Sequence, residues 1–439
     1  VAKGAPQAIV DLAKPAADVA VSIKATVATL AAKGNRALAV ARSEDGGATW
    51  SLLGILPMFD PPRDDSKATI DAVKSKGISV KMITGDDTAI AIEVARELGM
   101  GTNIVAAADA FPKDMDPDHV PGPIIDAIEK ADGYARVFPE HKYAIVKALQ
   151  SRGHRVAMTG DGVNDAPALK QADCGTAVSG ATDAARGAAA LILTAPGLSV
   201  INSAIDEARR IFGRITTYTI YRVALTMDIM VLVVLSTIVL GFQPLTAVMI
   251  VVMSLLDDIP IMTIAYDNTP VSPTPIRWRM PRLLTVAAIL GFFCVVQSFG
   301  LLLIGLEILS DTALSARFGL ADHAMLQTVM FLQLVAGGHL LLFVTRGEGW
   351  FFRRPWPAAP LVVAILATQA LAVLMCGYGW LVPALSWATI AWVWGYNLVW
   401  LIILGAVRVG AERLLDDVTA RRRRSAAVVA APIHPFPAR

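Results

Sequence analysis
The sequence predicts a multidomain membrane protein: an α/β domain with a Rossmann-type parallel sheet, followed by a bundle of six transmembrane helices. Three observations carry that expectation. Charge is uneven, since residues 1–215 hold 24 of the 39 Lys and Arg and 26 of the 37 Asp and Glu, and no lysine follows Lys170. Six apolar stretches fill the second half, at 216–240, 244–266, 283–309, 324–345, 358–378 and 384–407. In the first half, short β-rich apolar runs alternate with amphipathic stretches, the pattern of βα units on a parallel sheet. With 55% hydrophobic and 17% charged residues, an ordinary soluble enzyme and a disordered chain are excluded. A net charge of +2 gives no reason to expect nucleic acid or another polyanion as partner.

The opening Val1-Ala-Lys-Gly-Ala-Pro6 has no signal-peptide pattern and reads as mid-domain. Expected strands are Leu52–Phe59, Ile78–Ile83, Ala135–Phe138, Arg155–Thr159, Gly175–Val178 and Ala190–Leu193. Helices fit between them at Asp64–Lys76, Thr88–Leu98, Glu140–Arg152 and Leu198–Phe212. Ligands of such sheets bind at the carboxyl ends of strands, and the polar motifs fall there. One strand runs into Thr84-Gly85-Asp86, another into Gly160-Asp161-Gly162-Val163-Asn164-Asp165. Glycines let backbone approach an anion closely, and helix N-termini point donors at it. Asp161 and Asp165 form a hard oxygen pair suited to Mg²⁺, and Lys142 could balance phosphate charge at the same edge. Together these strand ends point to phosphoryl chemistry. Cys174, Cys294 and Cys376 are too scattered for a disulfide framework or a zinc site, which suits a reducing compartment.

Each apolar stretch is long enough to cross a hydrocarbon core of roughly 30 Å. The loop 267–282 carries Arg277, Arg279 and Arg282, and the loop 346–357 carries Arg346, Arg353 and Arg354. The alternate loops carry only Arg317, and the tail adds Arg408, Arg413 and Arg421 to Arg424. Lys and Arg favour the cytoplasmic side, so residues 1–215 and the tail are expected there. The tail cluster reads as a binder of anionic lipid. Inside the spans stand Arg222, Asp228, Asp257, Asp258 and Glu307. Intramembrane acids are costly and mark ion paths or ion pairs. Pro260 follows Asp257-Asp258 closely and should kink or unwind the helix beside them. The remaining choice is one Asp paired structurally with Arg222. Glu307 reads as interfacial, and His339, Gln297 and Gln333 as helix–helix hydrogen bonders.

The run Met158-Thr-Gly-Asp-Gly-Val-Asn-Asp-Ala-Pro-Ala-Leu-Lys170 resembles a P-type ATPase motif. Lys3-Gly-Ala-Pro6, Asp60-Pro-Pro-Arg63, Thr84-Gly-Asp86 and Phe138-Pro-Glu-His-Lys142 resemble further motifs of that family, in its order. Ala181-Thr-Asp-Ala-Ala-Arg186, Tyr218-Thr-Ile-Tyr221, Ile261-Met-Thr-Ile264 and Ser272-Pro-Thr-Pro275 are closest to its plasma-membrane proton-exporting branch. The resemblance implies a haloacid-dehalogenase-like cytoplasmic domain. It makes 1–57 the end of a nucleotide-binding domain, 58–215 the phosphorylation domain, 216–407 the membrane helices and 408–439 an Arg-rich tail. It places Lys3, Gly4, Arg36 and Asp60 at ATP. Thr84, Gly85, Asp86 and Lys142 would surround the transferred phosphoryl group. Asp161 and Asp165 would hold Mg²⁺ with support from Asn164, and Asp258 would carry the proton with Asp257 alongside. The implied activity is Mg-ATP-driven proton export through an aspartyl-phosphate at the plasma membrane.

Two departures qualify the match. Asp228 stands where members of the family carry Arg or His, and could add a second proton site or pair with Arg222. No Asp-Lys-Thr-Gly occurs in the 439 residues, so the phosphorylated aspartate is absent, and no Thr-Gly-Glu loop or first four membrane helices accompany it. A sheet without its middle strand is expected, in a C-terminal piece of a longer protein that is inactive alone. The alternatives are a P-type pump for Ca²⁺ or Mg²⁺, or a truncated, non-catalytic membrane protein that binds nucleotide or Mg²⁺.

Overall fold
In the computed structural model residues 1–112, 115–276, 278–347 and 349–429 are described, with side chains up to residue 418. Arg277 and the side chains of Arg421 to Arg424 lie outside the described residues. The chain divides into two compact units, Val1–Ile205 with Pro273–Pro275, and Asp206–Ser272 with Ile276–Arg439.

The first unit opens with β1 (Ala2–Gly4), α1 (Pro6–Ala13), α2 (Ala17–Ala31), β2 (Arg36–Arg42) and β3 (Ser51–Met58). These strands form an antiparallel sheet in the order β1-β2-β3. The run Leu52–Phe59 therefore does not join the parallel sheet, contrary to the expectation from βα alternation. The short 43–50 connection explains this, because parallel neighbours need a crossover of a dozen residues or more. Asp45 ties that turn: its carboxylate accepts from Thr49 Oγ1 at 2.6 Å, Thr49 N at 2.9 Å and Ser43 Oγ at 2.7 Å. These donors, the Thr49 hydroxyl first, hold the carboxyl well below its ordinary value.

Parallel strands follow. The elements are α3 (Ser66–Ser75), β4 (Met82–Ile83), α4 (Thr88–Glu97), β5 (Ile104–Ala106), α5 (Ala107–Ala110), α6 (Gly122–Lys130), β6 (Gly133–Ala135) and α7 (Pro139–Ser151). Then come β7 (Ala157–Gly160), α8 (Ala166–Gln171), β8 (Cys174–Ala177), α9 (Asp183–Ala188) and β9 (Leu191–Ile192). They make two parallel three-stranded sheets, β4-β6-β5 and β7-β8-β9, instead of one. Both strands that end in the polar motifs, β4 and β7, are edge strands of their own sheets. Ile128, Tyr134, Ala144 and Ala107 are fully buried under the first sheet's helices, and each large apolar side chain so buried contributes roughly 1.5–3 kcal/mol.

The second unit holds the helices α10 (Ser199–Leu240, which begins in the first unit), α11 (Ala247–Thr263), α12 (Met280–Ser310), α13 (Thr312–Phe318), α14 (His323–Thr345), α15 (Ala359–Tyr378) and α16 (Trp387–Val429). All but α13 are long and apolar enough to cross a membrane. Leu198–Phe212 and 216–240, read as separate helices, are one helix. Gly213 does not break it, and its missing Cβ instead makes room for the side chain of Thr269. Near the chain's acids, α11 stays helical through Pro260 and narrows to a 3₁₀ turn only at Ile264–Tyr266. The expected unwinding is offset by a neighbour. Pro260 has no N–H for the carbonyl of Leu256, and His339 Nε2 lies 3.3 Å from that oxygen instead. Helix α14 is buried almost all round, with Leu326, Met330, Phe331, Leu332 and Val335 inaccessible, as befits a helix apolar on every face.

Candidate functional site
Two loops at strand ends gather most of the candidate residues. After β4, Thr84 Oγ1 donates to Asp86 Oδ2 at 3.1 Å and accepts from Asp86 N at 3.1 Å. The turn is fixed from behind, where Val137 N donates to Thr84 O at 3.1 Å and Arg136 N to Asp86 O at 2.9 Å. Arg36, at the start of β2, reaches Asp86 with Nη2 at 2.6 Å from Oδ1. A phosphate seeking Arg36 would therefore compete with that carboxylate. Asp87 caps α4 by accepting from Ala89 N at 3.0 Å. The Arg136 guanidinium beside it, with that N–H, holds its carboxyl below the ordinary value.

After β7, the Asp161–Asp165 turn folds around one carboxylate. Asp165 is buried, and its Oδ2 accepts from Asp161 N and Gly162 N, both at 3.2 Å. Its Oδ1 meets Lys142 Nζ at 2.6 Å, Lys142 itself being largely buried. Gly160 is required here, since a Cβ would stand 2.6 Å from Asp165 Cβ. Asp161 differs: the residue is exposed, and its carbonyl accepts from Thr182 N at 2.9 Å. The two acids thus divide the work. Asp165 organises the loop and Lys142, and Asp161 offers a free carboxylate at the strand end.

That donor set fits Mg²⁺ in part. Mg²⁺ takes one or two carboxylates and keeps several waters, which Asp161 satisfies as a single ligand. Asp165 is engaged with Lys142, and no group of three or more His, Cys, Asp or Glu suited to a metal occurs among the described residues. Asn164 is exposed beside Asp161. Lys3 lies on β1 opposite Val40, with Gly4 next to it, and Asp60 is exposed after β3. Neither Lys3 nor Asp60 bonds to the other candidates among the described residues.

In the second unit the three acids have different surroundings. Asp258 is 59% exposed at its side chain and faces Arg222 at 3.7 Å, so Arg222 pairs with Asp258 and not with Asp228. Asp257 is buried, with His339 Nε2 3.5 Å from its Oδ1. His339 Nδ1 accepts from Gln369 Nε2 at 2.6 Å, which leaves Nε2–H to face Leu256 O and Asp257. Asp228 is buried against Ser298, whose hydroxyl donates to it at 2.9 Å. The sequence reading missed Ser298, Gln369 and Asn397, which bind Asp228, His339 and Gln297 respectively. For Asn397 the available signal was Gly337, where a Cβ would stand 2.9 Å from Asn397 Oδ1 and 3.4 Å from Gln297 Nε2.

The fold and these loops first define a class: a haloacid-dehalogenase-like domain joined to six candidate membrane helices. Residues 6–173 match the haloacid dehalogenase-like hydrolase family. Over 409 residues the chain is 42% identical to the "Putative cation-transporting ATPase" of Methanocaldococcus jannaschii, covering 93% of this chain and 49% of that protein. Over 380 residues it is 40% identical to plasma membrane ATPase 2 of Saccharomyces cerevisiae, covering 85% of this chain and 38% of that one. The chain thus spans half or less of the length of these curated relatives. Along most of its own length the chain is thus similar to cation-transporting ATPases, and it carries six helices long and apolar enough to cross a membrane.

Proposed function
We propose that the chain supplies the Mg²⁺ loop and most of the ion path of a P-type proton-exporting ATPase at the plasma membrane. The observation that carries this reading is the pairing, in one chain, of a free Asp161 at the end of an edge strand with acids inside the membrane half. The whole enzyme would couple Mg-ATP hydrolysis to export through an aspartyl-phosphate. Bound Mg²⁺ would neutralise charge on the transferred phosphoryl group. Asp161 would hold that ion, and Asp165 with Asn164 would shape its loop. Lys142, Thr84, Gly85 and Asp86 would face the phosphoryl group, while Lys3, Gly4, Arg36 and Asp60 would serve ATP.

Asp258 would carry the proton, its exposure tempered by Arg222, with Asp257 and Asp228 further along the path. Coupling phosphoryl chemistry to ion movement would require a two-state conformational equilibrium biased by both sites. The basic loops with Arg279, Arg282, Arg346, Arg353 and Arg354 support a cytoplasmic side shared by residues 1–215 and the tail. Phosphorylation would need an Asp-Lys-Thr-Gly supplied by an N-terminal half with an actuator domain and four further helices. The edge positions of β4 and β7 support a strand between them. Phosphorylation of the full-length protein by ATP, wild type beside Asp161→Asn, tests this: the variant should lose it by orders of magnitude, and unchanged phosphorylation would reject the role of Asp161.

A second reading, a pump for another cation such as Ca²⁺ or Mg²⁺, is favoured by the broader name of the archaeal relative. ATPase activity of the full-length protein across pH, with and without Ca²⁺, separates the two.

A further inference from the structure
We propose that the loop between α14 and α15 closes a pocket for the phosphate of an anionic phospholipid headgroup, bound by Arg353 and Arg354. The proposal is independent of which ion the membrane half moves. The 267–270 segment and the 346–355 loop line a cavity of about 40 Å³. A water needs roughly 10–15 Å³ of such space, so the cavity holds the bulk of about three waters, close to that of one phosphate group. Among the described residues, three guanidiniums and one carboxylate line it: Arg346, Arg353, Arg354 and Asp267. The acid is spent, since its Oδ2 meets Arg346 Nε at 2.6 Å and its Oδ1 accepts from Ala358 N at 3.0 Å. Arg346 is spent with it, because its Nη2 donates to Asn268 O at 3.0 Å and to Pro355 O at 3.3 Å. No acid pairs with Arg353 or Arg354 among the described residues. Two adjacent guanidiniums at a small cavity suit an oxyanion, which accepts from their planar forks.

Helix α16 holds the loop in place. Glu412 Oε2 accepts from Gly349 N at 3.2 Å, and Arg408 Nη1 donates to Val344 O at 2.7 Å. Gly405 lets the loop's rings seat against that helix, since a Cβ there would stand 3.2 Å from Phe351 and 3.3 Å from Trp350. Anchoring the loop lowers the ordering cost of binding. The rim of the pocket points to a lipid and away from a soluble phosphate. Phe352 and Trp356 are 57% and 60% exposed, between two helices long and apolar enough to cross a membrane. Exposed aromatic rings at that level belong to the headgroup region, and basic pockets at the ends of such helices bind anionic headgroups. Inorganic phosphate shares the chemistry of the two arginines but gains nothing from the rings, which suit the glycerol and upper acyl chains of a phospholipid.

Native mass spectrometry of the full-length protein titrated with phosphatidylglycerol tests this, with no ATP and no transport involved. Arg353→Gln with Arg354→Gln should weaken the tightest-bound lipid roughly 25-fold, about fivefold for each arginine. Arg421→Gln, Arg422→Gln, Arg423→Gln and Arg424→Gln together should leave that lipid in place. Trp356→Ala should weaken phosphatidylglycerol several-fold while leaving the binding of inorganic phosphate, followed by calorimetry, as in wild type. A loss seen only with the tail variant would assign the lipid to the tail. Inorganic phosphate bound by wild type, with phosphatidylglycerol unaffected by Arg353→Gln and Arg354→Gln, would assign the pocket to a soluble anion. Either result overturns the proposal, as does equal lipid binding by all the variants.

Discussion

Replacing Lys142 by Met removes the positive charge that meets Asp165 while keeping the length of the side chain. Lys142 and Asp165 are 16% and 9% exposed at their side chains and lie 2.6 Å apart. Removing one partner of a buried pair typically costs about 3–5 kcal/mol. Two features reduce that figure here: some water reaches Lys142, and Asp165 keeps the amides of Asp161 and Gly162. A local cost of about 2–3 kcal/mol remains, equivalent to a roughly 30- to 150-fold change in an opening equilibrium. Amide hydrogen exchange at Asp161 and Gly162 is the direct assay, since those N–H groups donate to the stranded carboxylate. Lys142→Met should speed their exchange by that factor. Adding Asp165→Asn should restore most of the protection, because an amide oxygen accepts the same donors without a buried charge. Unchanged exchange in the single variant, or no recovery in the double, would refute the reasoning.

Three further outcomes follow from the geometry. The Asp173 carboxyl is held down to about 2 by Val156 N–H first, then by the Gln150 amide and the Arg155 guanidinium. A lowered value means stability that is present above the ordinary 3.8 and lost as pH falls toward about 2. Thermal melting in that window should therefore fall more steeply for wild type than for Asp173→Asn. Arg346 is buried with Nε 2.6 Å from Asp267 Oδ2, and Asp267 Oδ1 accepts from Ala358 N at 3.0 Å. Arg346→Met strands that acid, costing about 3–5 kcal/mol, and should make the 346–357 loop markedly more sensitive to trypsin at Arg353 and Arg354. Gly175→Ala would drive a Cβ into the carbonyl of Leu169, so expression and phosphorylation of the full-length variant should both drop sharply.

The six helices were legible because about 20 apolar residues in a row have few other uses, and the strand-end loops because glycine and aspartate cluster there. Strand pairing was not legible, being a long-range choice. Leu52–Phe59 has the composition of a parallel-sheet strand, and only the short, Asp45-tied turn reveals its antiparallel partner. At three residues, Ile104–Ala106 is too brief to show a period. The spacing of Asp161 and Asp165 suggested a matched oxygen pair, yet backbone direction buries one on Lys142 and frees the other. Ser298 sits beside Gln297 in a largely apolar helix, and nothing in the sequence announces that it faces Asp228.

Proton uptake into vesicles carrying the full-length protein, wild type beside Asp258→Asn, with ATP-dependent phosphorylation followed in parallel, tests the central claim most directly. The account predicts that Asp258→Asn still phosphorylates but takes up no protons. Wild type that hydrolyses ATP only with a particular metal ion and moves no protons would contradict it.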